Sequence, residues 1–159
     1  MVYNQAMEYG LLLKQADEIL SEPDLLAGIE NLLSVLYFNF GDINWIGIYR
    51  YDGEELVLGP FFGKIACTHI KVGKGVCGTA FEQQKTQNVK NVHEFPGHIA
   101  CDSASRSEVV SPLNAKLGVL DIDSESYERF SDEDAAFFDT VAAKISERVL
   151  KERNDLKFL

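Results

Sequence analysis

Ile43-Asn44-Trp45-Ile46-Gly47-Ile48-Tyr49-Arg50-Tyr51, then Asp52-Gly53, then Glu55-Leu56-Val57-Leu58-Gly59-Pro60-Phe61, is the stretch on which the fold turns. Two runs rich in β-branched and aromatic residues flank an Asp-Gly pair, the pattern of two antiparallel strands joined by a tight turn. Working outward, the same pattern predicts a short strand at 68–72, a helix-like stretch at 78–84, and strands at 108–113 and 117–123. Gly73-Lys74-Gly75 lacks the longer glycine-rich loop and the Lys-Ser/Thr ending of a phosphate-binding loop, so it reads as a turn between strand and helix. Residues 88–107, with Pro96 and Gly97 inside them, read as loop.

Helices are expected on both sides of this region. Over 21–40, Leu25, Leu26, Ile29, Leu32, Leu33 and Leu36 recur at helical spacing behind Ser21 as N-cap and Pro23 in the first turn. Over 3–20, Leu11, Leu12, Leu13, Ala16, Ile19 and Leu20 predict a second helix, which offers a surface for self-association. The last helix begins at Ser131, with Asp134 at capping-box spacing and Phe137, Phe138, Val141, Ile145, Val149 and Leu150 as its buried stripe. This order predicts an α+β fold, a central antiparallel sheet flanked by N- and C-terminal helices. It divides one domain over 1–159 into helices (1–40), sheet and site loops (41–125) and closing helix (131–153).

The chain has 159 residues, 46% hydrophobic and 25% charged, as an ordinary folded domain does. Its net charge of -10 argues against nucleic-acid binding, which needs a concentration of Lys and Arg on one face. The N-terminus has no basic stretch followed by a long apolar run, so neither a secretion signal nor a membrane span is expected, and the cytoplasm is the expected location.

Three cysteines, Cys67, Cys77 and Cys101, are an odd set in a reducing compartment and make a permanent disulfide framework improbable. They are buried thiols, metal ligands or redox groups. Zinc is disfavoured, because neither a close cysteine pair nor a paired histidine cluster occurs at structural-site spacing. Cys77, in Val76-Cys77-Gly78, suits a packed core thiol. Cys67 and Cys101 each end a short apolar run and enter a polar segment, where an accessible thiol would sit. Asp121 and Asp123 flank Ile122 in an apolar strand pattern, so both carboxylates leave the same sheet face, where they repel each other; Glu108 opens the preceding strand and could join them.

Asp42-Ile43-Asn44-Trp45, Gly63-Lys64-Ile65-Ala66-Cys67, Gly75-Val76-Cys77-Gly78-Thr79-Ala80, Gly97-His98-Ile99-Ala100-Cys101-Asp102 and Gly118-Val119-Leu120-Asp121-Ile122-Asp123-Ser124 together resemble the free methionine-(R)-sulfoxide reductases, a catalytic branch of the GAF-domain families. The resemblance implies a GAF-like fold and a thiol mechanism that needs neither cofactor nor metal. It implies that Cys101 attacks the sulfoxide sulfur and Cys67 resolves the sulfenic acid as a disulfide, with Cys77 as an alternative resolving or packing thiol. Thioredoxin would restore the thiols. Glu108 and Asp123 are the candidate acids, Asp121 with Asp123 would hold the substrate's ammonium group, and Trp45 and Tyr49 would flank its S-methyl end. A homodimer is expected. One departure stands out: Pro112-Leu113-Asn114-Ala115-Lys116-Leu117 is shorter than the hairpin connection of that family. The competing reading is a non-catalytic GAF module that binds a small ligand.

Overall fold

In the computed structural model, which describes residues 5–99, 101 and 104–152, six strands form one antiparallel sheet. The opening stretch forms β1 (Trp45–Tyr51) and β2 (Leu56–Gly63). Their connection is longer than a two-residue turn: the Asp52 carboxylate accepts hydrogen bonds from the backbone N–H groups of Glu54 and Glu55, both at 2.8 Å, and so closes an Asx turn. Between Gly47 and Tyr49 the register with β2 shifts, a bulge that takes up Gly59 and Pro60. The short strand β3 (His69–Ile70) follows, then α3 (Gly75–Gln83), which starts three residues before the sequence reading put it. A strand, β4 (Gln87–Val89), overlaps the start of the region read as loop, and its three residues are too few to show a period.

Strands β5 (Ser107–Pro112) and β6 (Gly118–Ser124) complete the sheet in the order β3-β2-β1-β6-β5-β4, in which β6 pairs with β1 on one side and with β5 on the other. The shortened connection between them is a 3-10 turn, Asn114–Lys116, in which Ala115 and Lys116 have positive φ (58° and 54°) and the Leu113 N–H donates to the Gly118 carbonyl at 2.8 Å. The turn preserves the pairing, with Glu108 opposite Asp123 and Val110 opposite Asp121.

Three helices cover one sheet face: α1 (Gln5–Ile19), α2 (Leu25–Asn39) and α4 (Asp132–Lys151). Their apolar stripes meet Ile46, Ile48, Val109, Leu120 and Ile122 in the main core. Each fully buried leucine there is worth roughly 1.5–3 kcal/mol. Leu12, Ala16 and Leu20 of the first helical segment are spent on this intramolecular core. Leu11 and Leu26, read as part of the apolar stripes, are exposed, because each lies beyond the edge of the face that packs.

Helix α2 starts at Asp24, not Ser21. The Asp24 Oδ1 accepts from the Ala27 N–H at 2.8 Å, while the Ser21 hydroxyl donates back to the Glu18 carbonyl and closes α1. The capping box of α4 forms as expected from Ser131 and Asp134. Asp134 also pairs with Arg129 at 3.1 Å, and Arg129 donates to the Phe40 and Gly41 carbonyls, tying α4 to the connection between α2 and β1. Tyr3 and Asn4 of the first expected helix, Arg153 of the last, and Ala100 and Asp102 of the fourth motif lie outside the described residues.

On the opposite face, alternation along the strands presents Trp45, Tyr49, Val110 and Val119 to a second core closed by Val76, Cys77, Ala80 and Phe81 of α3. The odd-numbered positions of β1 and β6, together with Glu108, therefore look into the space under α3.

Candidate active site

The floor of that space is acidic. Glu108, Asp121 and Asp123 are 8%, 6% and 7% exposed, and one carboxylate oxygen from each lies within 4.8 Å of the others. The pairing that places Glu108 beside Asp123 accounts for this, since strand neighbours on one face are the closest side chains in a sheet. The Oδ1 atoms of Asp121 and Asp123 are buried without a hydrogen-bond partner. Burial, reinforced by the Asp121 charge, pushes the Glu108 carboxyl up to about 8. Burial likewise pushes Asp121 up to about 6, and drives Asp123, flanked by both other acids, well above the usual carboxylate range. Among the described residues these three are the cluster with donor atoms for a cation. All-oxygen donors suit a hard ion or an ammonium group rather than zinc.

The walls come from β1 and α3. Trp45 stacks on Phe61 and Tyr49, with ring centres 5.4 Å and 5.9 Å apart, and its indole N–H donates to the Lys64 carbonyl at 3.1 Å. The indole lies flat because Gly47 has no side chain: a Cβ there would stand 2.4 Å from the Trp45 ring and 2.6 Å from the Phe61 Cβ. The Tyr49 hydroxyl donates to the Cys67 carbonyl at 2.9 Å. Burial first, then the Asp121 charge, holds this phenol well above its ordinary range, so it stays a donor. On the other side the first turn of α3, Gly75 to Cys77, lines the cavity and has no side-chain cap, so its N–H groups lack internal helical partners.

A disulfide joins Cys67 to Cys101. It links the loop after β2 to the segment before β5 at the cavity, which Cys101 lines together with Ala66, His98 and Ile99. Both cysteines are half-buried. Cys77 is free and buried; its thiol donates to the Asp121 carboxylate, and burial, with the negative charge of Asp121 and Glu108, keeps it protonated. A thiol held protonated is a poor nucleophile, and the structure pairs Cys67 with Cys101 instead.

The residues singled out in the sequence thus converge: Trp45, Tyr49, Cys77, Cys101, Glu108, Asp121 and Asp123 line one cavity, with Cys67 bonded to its edge. Sequence reasoning missed the first turn of α3, read only as a turn, and Ser105, a cavity residue that accepts from the Asn44 side-chain amide at 3.2 Å. His98, in the fourth motif, lines the same cavity, and its imidazole is pushed down by burial and by His93. The glycine pair before α3 was the available signal, since glycine-flanked helix starts bring backbone close to ligands.

The sheet order, the helix over the opposite face and the cavity between them define a GAF-domain protein. The sequence profile of the GAF domain matches residues 21–148. A solved GAF-domain structure superposes with a TM-score of 0.85 at 36% identity, covering 92% of this chain and 90% of its own. Within that class the chain belongs to the free methionine-R-sulfoxide reductase family. It is 49% identical over 140 residues to the free methionine-R-sulfoxide reductase of Escherichia coli, covering 86% of this chain and 84% of the relative. The free methionine-R-sulfoxide reductase of Neisseria meningitidis, solved in complex with its substrate, is 38% identical with a TM-score of 0.90, covering 98% of this chain and 96% of its own.

Proposed function

We propose that this chain reduces free methionine-(R)-sulfoxide to methionine at the acidic cavity, and the observation that carries the reading is a disulfide set at the edge of a cavity floored by three buried carboxylates. The Cys101 thiolate attacks the sulfoxide sulfur. Proton donation from Glu108 or Asp123 to the sulfoxide oxygen makes that oxygen transferable, and acids with raised pKa values keep a proton to give near neutral pH. Methionine leaves, and Cys101 holds the oxygen as sulfenic acid. The Cys67 thiol displaces it as water, forming the disulfide. Two electrons and two protons from a dithiol protein of the thioredoxin class then restore both thiols.

A free amino acid brings an ammonium group, which the unpartnered oxygens of Asp121 and Asp123 can accept. Its carboxylate faces the uncapped first turn of α3, whose dipole and N–H groups favour an anion. Trp45 and Tyr49 flank the S-methyl end. A non-catalytic ligand-binding role leaves the cysteine pair without a purpose. The chain acts in the cytoplasm as a homodimer, the latter checked by light scattering of the purified protein. No helix among the described residues is long and apolar enough to cross a membrane. The deciding assay supplies purified protein, dithiothreitol and free methionine-(R)-sulfoxide: methionine is expected, and its absence removes the reading.

A further inference from the structure

The chain carries -10 overall, yet from Val57 to Phe81 it contains Lys64, Lys71 and Lys74 and neither Asp nor Glu. All three lysines are exposed. Inside this basic stretch Ile65 is 90% exposed, two residues before Cys67; on the facing loop Ile99 is 42% exposed, two residues before Cys101. The disulfide thus lies between Ile65, which packs on little, and Ile99, which lines the cavity and rests against Gly75, with Lys64 next to Ile65 in sequence and Lys74 lining the same cavity as Ile99. Isolated exposed apolar residues need no explanation, but two that bracket a redox bond beside three exposed lysines are what a contact site would present. The neighbouring carboxylates are Glu55, engaged by His69 at 2.8 Å, and Glu82, which lies against Gly73 between Lys71 and Lys74. The two sulfurs are also not equivalent: Cys101 lines the cavity, whereas Cys67 belongs to the loop that carries Ile65 and Lys64.

Resting on the reductase reading above, we infer that Ile65, Ile99 and the Lys64–Lys71 stretch form the docking face for a thioredoxin-class dithiol protein with an apolar, carboxylate-rimmed active face, and that it attacks the sulfur of Cys67. Its thiolate bonds to Cys67 Sγ, breaks the disulfide and releases Cys101 as thiolate into the cavity. The partner's second thiol then attacks the mixed disulfide, Cys67 takes the proton, and the partner leaves oxidised. Two electrons and two protons have passed, counting the proton that Cys101 or the solvent takes up. Attack from this side returns the thiol that meets substrate directly to the cavity. Opposite charges on the two faces speed the encounter, an effect that salt screens.

The test uses reduction of the disulfide itself, read as free thiol released from the full-length oxidised protein, so it needs no sulfoxide and is independent of whether the assay above succeeds. With thioredoxin, Ile65→Glu and Lys71→Glu are expected to slow reduction about tenfold or more, and added salt to slow the parent. Dithiothreitol should reduce all three proteins equally, and Ile65→Leu should behave as the parent. Thioredoxin lacking its resolving cysteine should be trapped on Cys67, located by peptide mass mapping. Unchanged thioredoxin rates in both charge variants, or trapping on Cys101, would overturn the inference.

Discussion

Cys101 lines the cavity and Cys67 reaches it through the disulfide, so replacing each by serine separates two halves of the proposed cycle. Cys101→Ser is expected to release no methionine, while Cys67→Ser releases one per site and then stops under thioredoxin. Rapid-quench measurement of methionine decides it, and full cycling by Cys67→Ser would transfer the resolving role to Cys77. The carboxylates make a second test. Free methionine sulfoxide should be preferred to its N-acetyl derivative, because losing the ammonium leaves buried charge unpaired at about 2–5 kcal/mol, at least tenfold in kcat/KM. In Asp121→Asn the gap should narrow through loss of activity on the free substrate. Equal kcat/KM of the parent on both substrates would contradict the assignment. The side chains proposed for this chemistry were legible early: an Asp-Ile-Asp triplet in an apolar strand can put both acids on one face only. Which acid sits beside Glu108 was not, because register depends on the turn, and here two residues with positive φ close a connection shorter than expected.

The central hairpin announces itself through period and composition, and so does α4 through its cap. What escaped detection was short or locally ambiguous. β4 has three residues, and its place at the sheet edge is fixed by pairing with β5, a long-range contact that no window of sequence contains. The start of α2 was ambiguous because Ser21 and Asp24 are both good caps, and the hydroxyl of Ser21 was taken by the end of α1. Strand β1 carries its own prediction. Gly47 keeps the Trp45 ring flat against the sheet, and the β-carbon of alanine would stand 2.4 Å from it. Gly47→Ala should therefore displace the indole, destabilise the fold by about 1–3 kcal/mol and raise KM for the sulfoxide. Thermal unfolding and steady-state kinetics measure both; an unchanged KM would remove Trp45 from the substrate wall.

For the molecule as a whole, three buried acids make stability depend on pH. Their folded values lie above those of the unfolded chain, to about 8 for Glu108 and about 6 for Asp121. The folded state thus binds more protons, and the stability this contributes is complete below about pH 4. It is lost as pH rises through 6 and 8. The substrate-free protein is expected to have a lower Tm at pH 8.5 than at pH 5.5. Glu108→Gln should recover part of the difference, about 2–4 °C for each kcal/mol in a chain of this size. Parallel Tm curves for parent and variant across that range would show that the triad does not titrate as described. A cation delivered by the substrate relieves the same repulsion, so occupancy and folding are thermodynamically linked. In a cell that degrades chains from their opened states, the empty protein is the short-lived one. Oxidised amino acid would then lengthen the half-life of the protein that removes it, a supply-matched abundance requiring no transcriptional response. Protease digestion of the purified chain should slow in proportion to added free methionine sulfoxide, and should be indifferent to the N-acetyl form.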